Sequence, residues 1–212
     1  MRFFTVFNHK FIEYYRLLEK SCKKLDYQLE YEILKEPLDD YYVQLDDGWK
    51  SKALHKPKYL LNYIEKLSDN ELVIYLDSDI ILTQKIDEID TKSYDIGITH
   101  RIKEDYIGFK KEHLKYTEIG NCGVLFMYKN ERTINLIKSW EKNIETKKND
   151  QLALKESLAN TNAEIKTFDP LIYNFSYFNY FDYSKAKILH FKTGDRGFYN
   201  SFIFYSENVQ LC

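Results

Sequence analysis

Short apolar segments that are typical of β-strands alternate along this chain with segments that have the periodicity of amphipathic helices. The pattern predicts strands near residues 3–7, 31–34, 72–76, 94–99, 123–128, 165–168 and 188–191. It predicts helices near residues 9–25, 55–67 and 132–144, a shorter helix from about residue 150, and a loop over residues 35–52. Alternating strands and helices form a mostly parallel central sheet with helices on both faces. We therefore predict a Rossmann-like α/β fold, as a single domain over residues 1–212.

Length and charge exclude several classes of protein. A chain of 212 residues is long enough to bury a sizeable core. With 31 lysines and arginines against 33 acidic residues, the net charge of -2 argues against nucleic acid as a partner. No apolar run approaches the length of a transmembrane segment. The three cysteines, Cys22, Cys122 and Cys212, are widely spaced without a metal-ligand pattern, which predicts reduced thiols and a cytoplasmic location.

The stretch VIYLDSDIIL, residues 73–82, places two carboxylates directly after an apolar strand. Asp77 and Asp79 carry like charges at a strand end, where both repulsion and desolvation are unfavourable. Ligands of parallel sheets bind at the carboxyl ends of strands, and hard cations take oxygen ligands. A D-x-D triplet alone is more often a turn or a helix cap. The apolar run before it favours a divalent metal ion, which would offset the charge of a bound diphosphate.

Five stretches, in this order, resemble those of GT-A glycosyltransferases, which use nucleotide-sugar donors with manganese or magnesium. HKPKYLLNYIEKL, residues 55–67, resembles the helix before the D-x-D strand, and VIYLDSDIIL resembles the metal-binding strand itself. GNCGVLFMYKN, residues 120–130, resembles the N-x-G-V stretch that lines the sugar site. NDQLAL, residues 149–154, resembles the D-Q stretch beside the transferred sugar, and ILHFKTGDR, residues 188–196, resembles a late histidine segment. The likeness covers most of the chain and extends to small retaining-type transferases, including virus-encoded glycosyltransferase domains of large algal DNA viruses.

The resemblance implies roles for particular residues. It implies a metal site for Mn2+ or Mg2+ made by Asp77, Asp79 and His190. It implies catalytic positions beside the transferred sugar for Asp150, Gln151 and Asn121. It also implies that Lys56, Asp77 and Ser78 bind the nucleotide-sugar donor.

Further donor contacts are expected from residues that follow predicted strands. Thr5, Phe7 and Asn8 come at the end of the first strand, where they are expected to contact the base and the ribose. Arg101 follows a later strand and is expected to reach the same cleft.

The segment after His190 departs from related transferases, in which a glycine often follows the histidine by three positions and a lysine by six. Here Thr193 takes the first position, Gly194 comes one residue later, and Arg196 takes the second position. Because arginine can bind a diphosphate with two parallel hydrogen bonds, we expect Arg196 to bind that group in place of the usual lysine. Lys192 and Gly194 are expected to bind the same diphosphate.

Several of these residues also have a structural interpretation that the sequence leaves open, and for Lys192 and Arg196 it is that of solvated surface charges. His190 has the surroundings of a core histidine that is hydrogen-bonded to backbone. Asp150 is placed to cap the helix that follows it. Asn121, between Gly120 and Cys122, is a residue type that is common in turns.

The resemblance implies metal-dependent transfer of a hexose or deoxyhexose from a UDP-sugar donor to a glycan acceptor, with retention. The location implied is the cytoplasm, that of the host if the protein is virus-encoded, and further domains after Cys212 are left open. One alternative is a non-catalytic module that binds nucleotide sugars without turnover. Another is a D-x-D phosphohydrolase, but that class has a threonine or valine where Ile81 stands here.

Overall fold

The computed structural model describes residues 1–34, 43–44, 50–51, 55–101, 120–176 and 182–191. The strands of this part are β1 (Arg2–Phe7), β2 (Leu29–Ile33), β3 (Val43–Gln44), β4 (Lys50–Ser51), β5 (Leu72–Leu76), β6 (Ile80–Leu82), β7 (Ile96–His100), β8 (Gly120–Tyr128), β9 (Ile165–Phe168) and β10 (Ile188–His190). The α-helices are α1 (Ile12–Lys24), α2 (Lys56–Ile64), α3 (Glu131–Lys147), α4 (Asp150–Ala159) and α5 (Pro170–Tyr173), and short 3-10 helices cover His9–Phe11 and Asp87–Ile89.

The central sheet has six strands in the order β2-β1-β5-β8-β7-β9. β1 is parallel to β2 and to β5, and β7 is parallel to β9. β8 is antiparallel to both of its neighbours, β5 and β7. The predicted α/β fold with a mostly parallel sheet is therefore confirmed, with β8 as the reversed strand.

Both faces of the sheet are covered by helices. On one face, α1 packs through Leu18 and Cys22 against the sheet. On the other face, helices α2, α3 and α4 contribute to a second buried cluster, which contains Leu60, Trp140 and Leu154. All five residues of β5 and all nine residues of β8 are buried, which explains why both strands are apolar runs without alternation.

The helix starts follow from local sequence. Pro57 lies in the first turn of α2, where its missing N–H is not needed. Asn130 caps α3 by accepting a hydrogen bond from the Thr133 amide, and Asn149 caps α4 by accepting one from the Leu152 amide. Within the described residues no helix is both long enough and apolar enough to cross a membrane.

Three features of the fold differ from the sequence-based expectation. β6 pairs with β10 in a separate antiparallel sheet, whose register sets His190 opposite Ile80. β8 begins at Gly120, three residues earlier than predicted, so Asn121 lies in a strand and not in a turn. In the predicted loop, β3 and β4 pair with each other, and residues 35–42, 45–49 and 52 lie outside the described part.

Candidate active site

The two aspartates of the D-x-D motif meet His190 at the carboxyl end of β5. The β6–β10 pairing brings the three side chains together, and the Phe191 amide donates a 2.9 Å hydrogen bond to the Asp79 carbonyl. His190 Nε2 lies 3.4 Å from Asp79 Oδ1 and 3.9 Å from Asp77 Oδ2. One potential ligand atom from each residue lies within 4.8 Å of the others. The predicted metal ligands therefore form one cluster.

Gly123 keeps the space beside this cluster open. The Asp77 amide donates to the Gly123 carbonyl at 2.8 Å, which fixes β8 against the motif. A Cβ atom at Gly123 would lie 2.5 Å from His190 Cε1 and 2.6 Å from Asp77 Oδ2. Two carboxylates and an imidazole suit Mn2+ or a similar divalent ion. The residues present, and the cradle that a side chain at Gly123 would fill, fit such an ion.

A buried lysine links the metal cluster to the candidate catalytic carboxylate. Lys56 Nζ lies 2.8 Å from Asp77 Oδ1 and 3.6 Å from Asp150 Oδ2. It also donates a 3.2 Å hydrogen bond to the Cys122 carbonyl, and Tyr75 Oη donates to Asp77 Oδ1 at 2.9 Å. One Asp77 oxygen thus faces Lys56 and Tyr75, while the other faces His190. Lys56 therefore supplies positive charge that offsets the negative charge of the D-x-D motif.

The charges of this network support each other. Burial is the largest influence on the Asp77 carboxyl and raises its pKa, but Lys56, His190 and the Tyr75 hydrogen bond together lower that pKa below its ordinary value of 3.8. Burial also lowers the pKa of Lys56, yet Asp77 and the other surrounding groups raise it well above 10.5. Asp77 and Lys56 therefore form an ion pair inside the protein at neutral pH.

Lys56→Met is expected to lower the free energy of unfolding of the metal-free protein by about 3 kcal/mol, because it leaves the partly buried Asp77 and the buried Asp150 without their cation. The lowered pKa of Asp77 contributes stability above pH 3.8, which is lost as the pH falls through the folded-state value. The raised pKa of Lys56 contributes stability below pH 10.5, which is lost as the pH rises through the folded-state value. Urea denaturation between these limits measures the difference.

Lys58→Met is the matched control, because Lys58 lies on the same helix and is exposed. It is expected to change the free energy of unfolding by no more than about 0.5 kcal/mol. Equal losses in the Lys56 and Lys58 variants would contradict a stabilising role for the buried ion pair.

Asp150 begins α4 with its carboxylate turned toward the network. Asn149 is the helix cap, so the capping interpretation of Asp150 is wrong. Asp150 Oδ1 accepts from the Gln151 amide at 2.9 Å, and Oδ2 accepts from the Cys122 thiol at 2.9 Å. Trp140 Nε1 donates to the Asp150 carbonyl at 2.8 Å. Burial, and next the charge of Asp150, raise the pKa of Cys122, which keeps it a protonated donor.

Asn121 lies beside the cluster, two residues before Gly123 on β8. Its Oδ1 accepts a 2.7 Å hydrogen bond from the Gly123 amide, and the residue is buried. This bond fixes the orientation of the Asn121 side chain on β8.

The residues at the end of β1 lie next to β5, at the same carboxyl-end edge of the sheet as the D-x-D motif. Thr5 and Asn8 are buried, and the Thr5 hydroxyl has no hydrogen-bond partner in the part of the chain that the structure describes. The Phe7 ring is stacked on Tyr15 of α1 with centroids 4.4 Å apart, which places that ring in the core. Contact with a base through Phe7 would thus involve its backbone.

The remaining predicted donor residues are only partly placed. Ser78 is buried between the two aspartates, and Arg101 directly follows β7 and is half-buried. Lys192, Gly194 and Arg196 lie outside the described residues.

Four residues of this site were not predicted from the sequence: Tyr75, Thr99, Cys122 and Asn174. Tyr75 carries a usable signal, because side chains two apart on a strand point to the same side and Asp77 is two residues later. Cys122 lies inside the N-x-G-V stretch, at the position that the pattern leaves variable. Asn174, which contacts His190, and Thr99, which contacts Asn174, carry no local signal.

The sheet order, the D-x-D motif at the carboxyl end of β5 and its clustered histidine define a GT-A nucleotide-sugar glycosyltransferase. The sequence profile of the family described as Nucleotide-diphospho-sugar transferase matches residues 21–197. The chain belongs to this family. No curated protein sequence matches it significantly.

Solved structures with the same fold include three glycosyltransferases. A glycosyltransferase involved in glycosylation of the major capsid of PBCV-1 matches with a TM-score of 0.63 and 17% identity, over 93% of this chain and 97% of that one. GlyE of Streptococcus pneumoniae TIGR4 matches with a TM-score of 0.58 and 13% identity, over 92% of this chain and 55% of that one. The galactosyltransferase LgtC matches with a TM-score of 0.51 and 13% identity, over 90% and 86% of the two chains.

Proposed function

We propose that this protein is a metal-dependent glycosyltransferase that moves a hexose or deoxyhexose from a UDP-sugar donor to a glycan acceptor, with retention at the anomeric carbon. The observation that carries the proposal is the cluster of Asp77, Asp79 and His190, joined through Lys56 to Asp150. A diphosphate site and a sugar site would adjoin there, at the carboxyl edge of the sheet where ligands of this fold class bind.

Asp77, Asp79 and His190 would hold Mn2+ or Mg2+ beside the donor diphosphate. When bound, the ion supplies Lewis-acid stabilisation of the charge on the leaving nucleoside diphosphate. Lys56 keeps the Asp77 carboxylate ionised and oriented toward the cluster. Ser78, Arg101, Lys192, Gly194 and Arg196 are proposed as further contacts of the diphosphate.

The sugar would lie toward Asp150. Positive charge develops at the anomeric carbon as the leaving group departs, as in glycoside hydrolysis, and a fixed carboxylate stabilises it. Hydrogen bonds from Cys122 and the Gln151 amide hold the Asp150 carboxylate in place. Gln151 and Asn121 are proposed to orient the sugar hydroxyls, while Thr5, Phe7 and Asn8 are proposed to contact the base and ribose.

The choice of donor and acceptor rests on resemblance. LgtC is a galactosyltransferase, and the PBCV-1 enzyme takes part in glycosylating a capsid, which supports a hexosyl donor and a glycan acceptor for this chain. Uracil is the base that related transferases usually bind. A single catalytic domain over residues 1–212, a cytoplasmic location and a viral origin stay predictions.

Incubation with UDP-, GDP-, ADP- and CDP-sugars, with and without Mn2+, tests the function. We expect slow hydrolysis of a UDP-sugar to UDP that depends on Mn2+, since water can replace the acceptor. UDP is also expected to bind more tightly than GDP, ADP or CDP in a calorimetric titration.

Other outcomes point to other functions. Tight nucleotide binding without release of nucleoside diphosphate, even with added glycan acceptors, would favour the non-catalytic module. Release of inorganic phosphate from a generic phosphate ester would favour the phosphohydrolase. Equal affinities for the four nucleotides would remove the basis for a UDP-sugar donor.

A further inference from the structure

The ring nitrogen of His190 that faces away from the aspartates enters a buried chain of hydrogen bonds. His190 Nδ1 lies 2.8 Å from Asn174 Oδ1, and Asn174 Nδ2 donates a 2.7 Å hydrogen bond to Thr99 Oγ1. Thr99, Asn174 and His190 are 0%, 1% and 4% exposed, so these hydrogen bonds lie inside the protein. Thr99 lies on β7, at the far side of β8 from the D-x-D motif.

Backbone bonds hold the middle member of this chain in place. The backbone N–H of Asn174 donates to the Pro170 carbonyl at 3.1 Å, and the next residue, Phe175, pairs with β10. The His190 amide donates in turn to the Phe175 carbonyl at 2.8 Å. Asn174 and His190 therefore keep a fixed separation, set by the main chain.

The donor–acceptor direction of the hydrogen bonds among Thr99, Asn174 and His190 decides which ring nitrogen of His190 carries the proton. An amide that donates to Thr99 through Nδ2 presents its oxygen to His190, and this oxygen can only accept. The neutral ring then carries its proton on Nδ1 and turns a lone pair on Nε2 toward Asp79 and Asp77, at 3.4 Å and 3.9 Å. Three acceptors that face one another repel, and a cation bound between them would offset that repulsion.

The reverse direction has the opposite effect. If the Thr99 hydroxyl donated to the amide oxygen, Asn174 would donate to Nδ1, and the proton would move to Nε2. That proton would point at the Asp79 carboxylate, in the place where a cation would bind. Histidines that ligate metals generally donate their other N–H to a fixed acceptor.

We propose that Asn174, held by Thr99, is a positioning residue that keeps His190 in the tautomer whose Nε2 is available to a divalent metal ion. This inference rests on the metal site of the proposed function. It assigns a role to two buried polar residues that neither touch the cluster of carboxylates nor belong to any of the matched sequence stretches.

Titration calorimetry with Mn2+ on the full chain tests the role. Asn174→Leu removes the acceptor and is expected to weaken Mn2+ binding by about 10- to 100-fold. Asn174→Asp keeps an acceptor oxygen and is expected to bind Mn2+ at least as tightly as the wild type. Thr99→Val removes the hydrogen-bond partner of Asn174 Nδ2, so the Asn174 side-chain amide can rotate by half a turn. This variant is expected to weaken Mn2+ binding by less than Asn174→Leu.

Long-range proton–nitrogen NMR spectra of the metal-free protein, under mildly alkaline conditions, read the tautomer directly. The wild type and Asn174→Asp are expected to carry the ring proton of His190 on Nδ1, whereas Thr99→Val is expected to gain the Nε2 form. A loss of stability alone would not move this proton. If Asn174→Leu does not fold, the comparison of Asn174→Asp with Thr99→Val still decides the question.

Three results would overturn the inference, and they separate it from the proposed function. If Asp79→Ala loses Mn2+ binding while Asn174→Leu binds normally, only the positioning role fails. If the metal-free wild type carries the ring proton of His190 on Nε2, again only the positioning role fails. If the wild type binds no Mn2+, the proposed metal site and this inference fail together.

Discussion

Gly123→Ala is expected to weaken Mn2+ binding and to lower the rate of donor turnover by roughly 100-fold, because displacement of reacting groups by about 1 Å has effects of that size. The added methyl carbon would stand 2.5 Å from His190 Cε1 and 2.6 Å from Asp77 Oδ2. Neither group can move away freely. His190 is held by Asn174, and Asp77 is held by Lys56 and Tyr75.

Gly120→Ala is the matched control on the same strand. A Cβ atom at Gly120 would first meet Ile98 Cδ1, the end of a flexible side chain, at 3.3 Å. This variant is expected to bind Mn2+ and turn over donor within a few-fold of the wild type. Calorimetry, a donor-hydrolysis assay and the melting temperature of both variants make the comparison. Normal Mn2+ affinity in a well-folded Gly123→Ala protein would show that the metal lies elsewhere.

Asp79→Ala is expected to abolish Mn2+-dependent binding of UDP while leaving the fold intact. The Asp79 carboxylate faces His190, and the bond that ties this turn to β10 comes from its backbone carbonyl, which alanine keeps. Asp79 supplies one of the two carboxylates of the cluster, and Lys56 already pairs with the other, so the variant loses the carboxylate whose charge is free to attract a hard cation. The measurement is a titration of UDP with and without Mn2+, together with a thermal melt.

Asp69→Ala serves as the control, since Asp69 is an exposed carboxylate before β5, paired with Lys129 on the surface. It is expected to bind Mn2+ and UDP as the wild type does. Unchanged Mn2+-dependent UDP affinity in the Asp79 variant would remove the D-x-D motif from the metal site.

Elements with strong local signals could be predicted from the sequence. The run LVIYL predicts β5, Pro57 marks the start of α2, and the short helix predicted from about residue 150 is α4, although its cap is Asn149 and not Asp150. β6 and its pairing with β10 could not be predicted, because three apolar residues have no characteristic period and their partner lies far along the chain. The early start of β8 at Gly120 could not be predicted either. Glycine and asparagine disfavour strands locally, and tertiary pairing overrides that preference.

The site was predictable as a set of residue types but not as a set of contacts. The D-x-D motif and the late histidine identify the three clustered side chains, and the resemblance adds Asp150. Which oxygen of Asp77 faces Lys56, and which group donates to Asp150, depends on side-chain directions set by packing. The hydrogen bond from Cys122 to Asp150 and the chain through Asn174 therefore became visible only in the structure.

The pairing of β6 with β10 has a consequence for the order in which the protein is completed during synthesis. A nascent chain that ends after β9 already contains Asp77, Asp79 and Lys56, but it has neither Asn174 nor His190. Its aspartates would attract a cation only weakly, since the proposed third ligand and the residue proposed to orient it have yet to be made. Contacts between segments so far apart also form late in folding. Tight binding of the proposed ion would therefore begin only when β10 docks against β6.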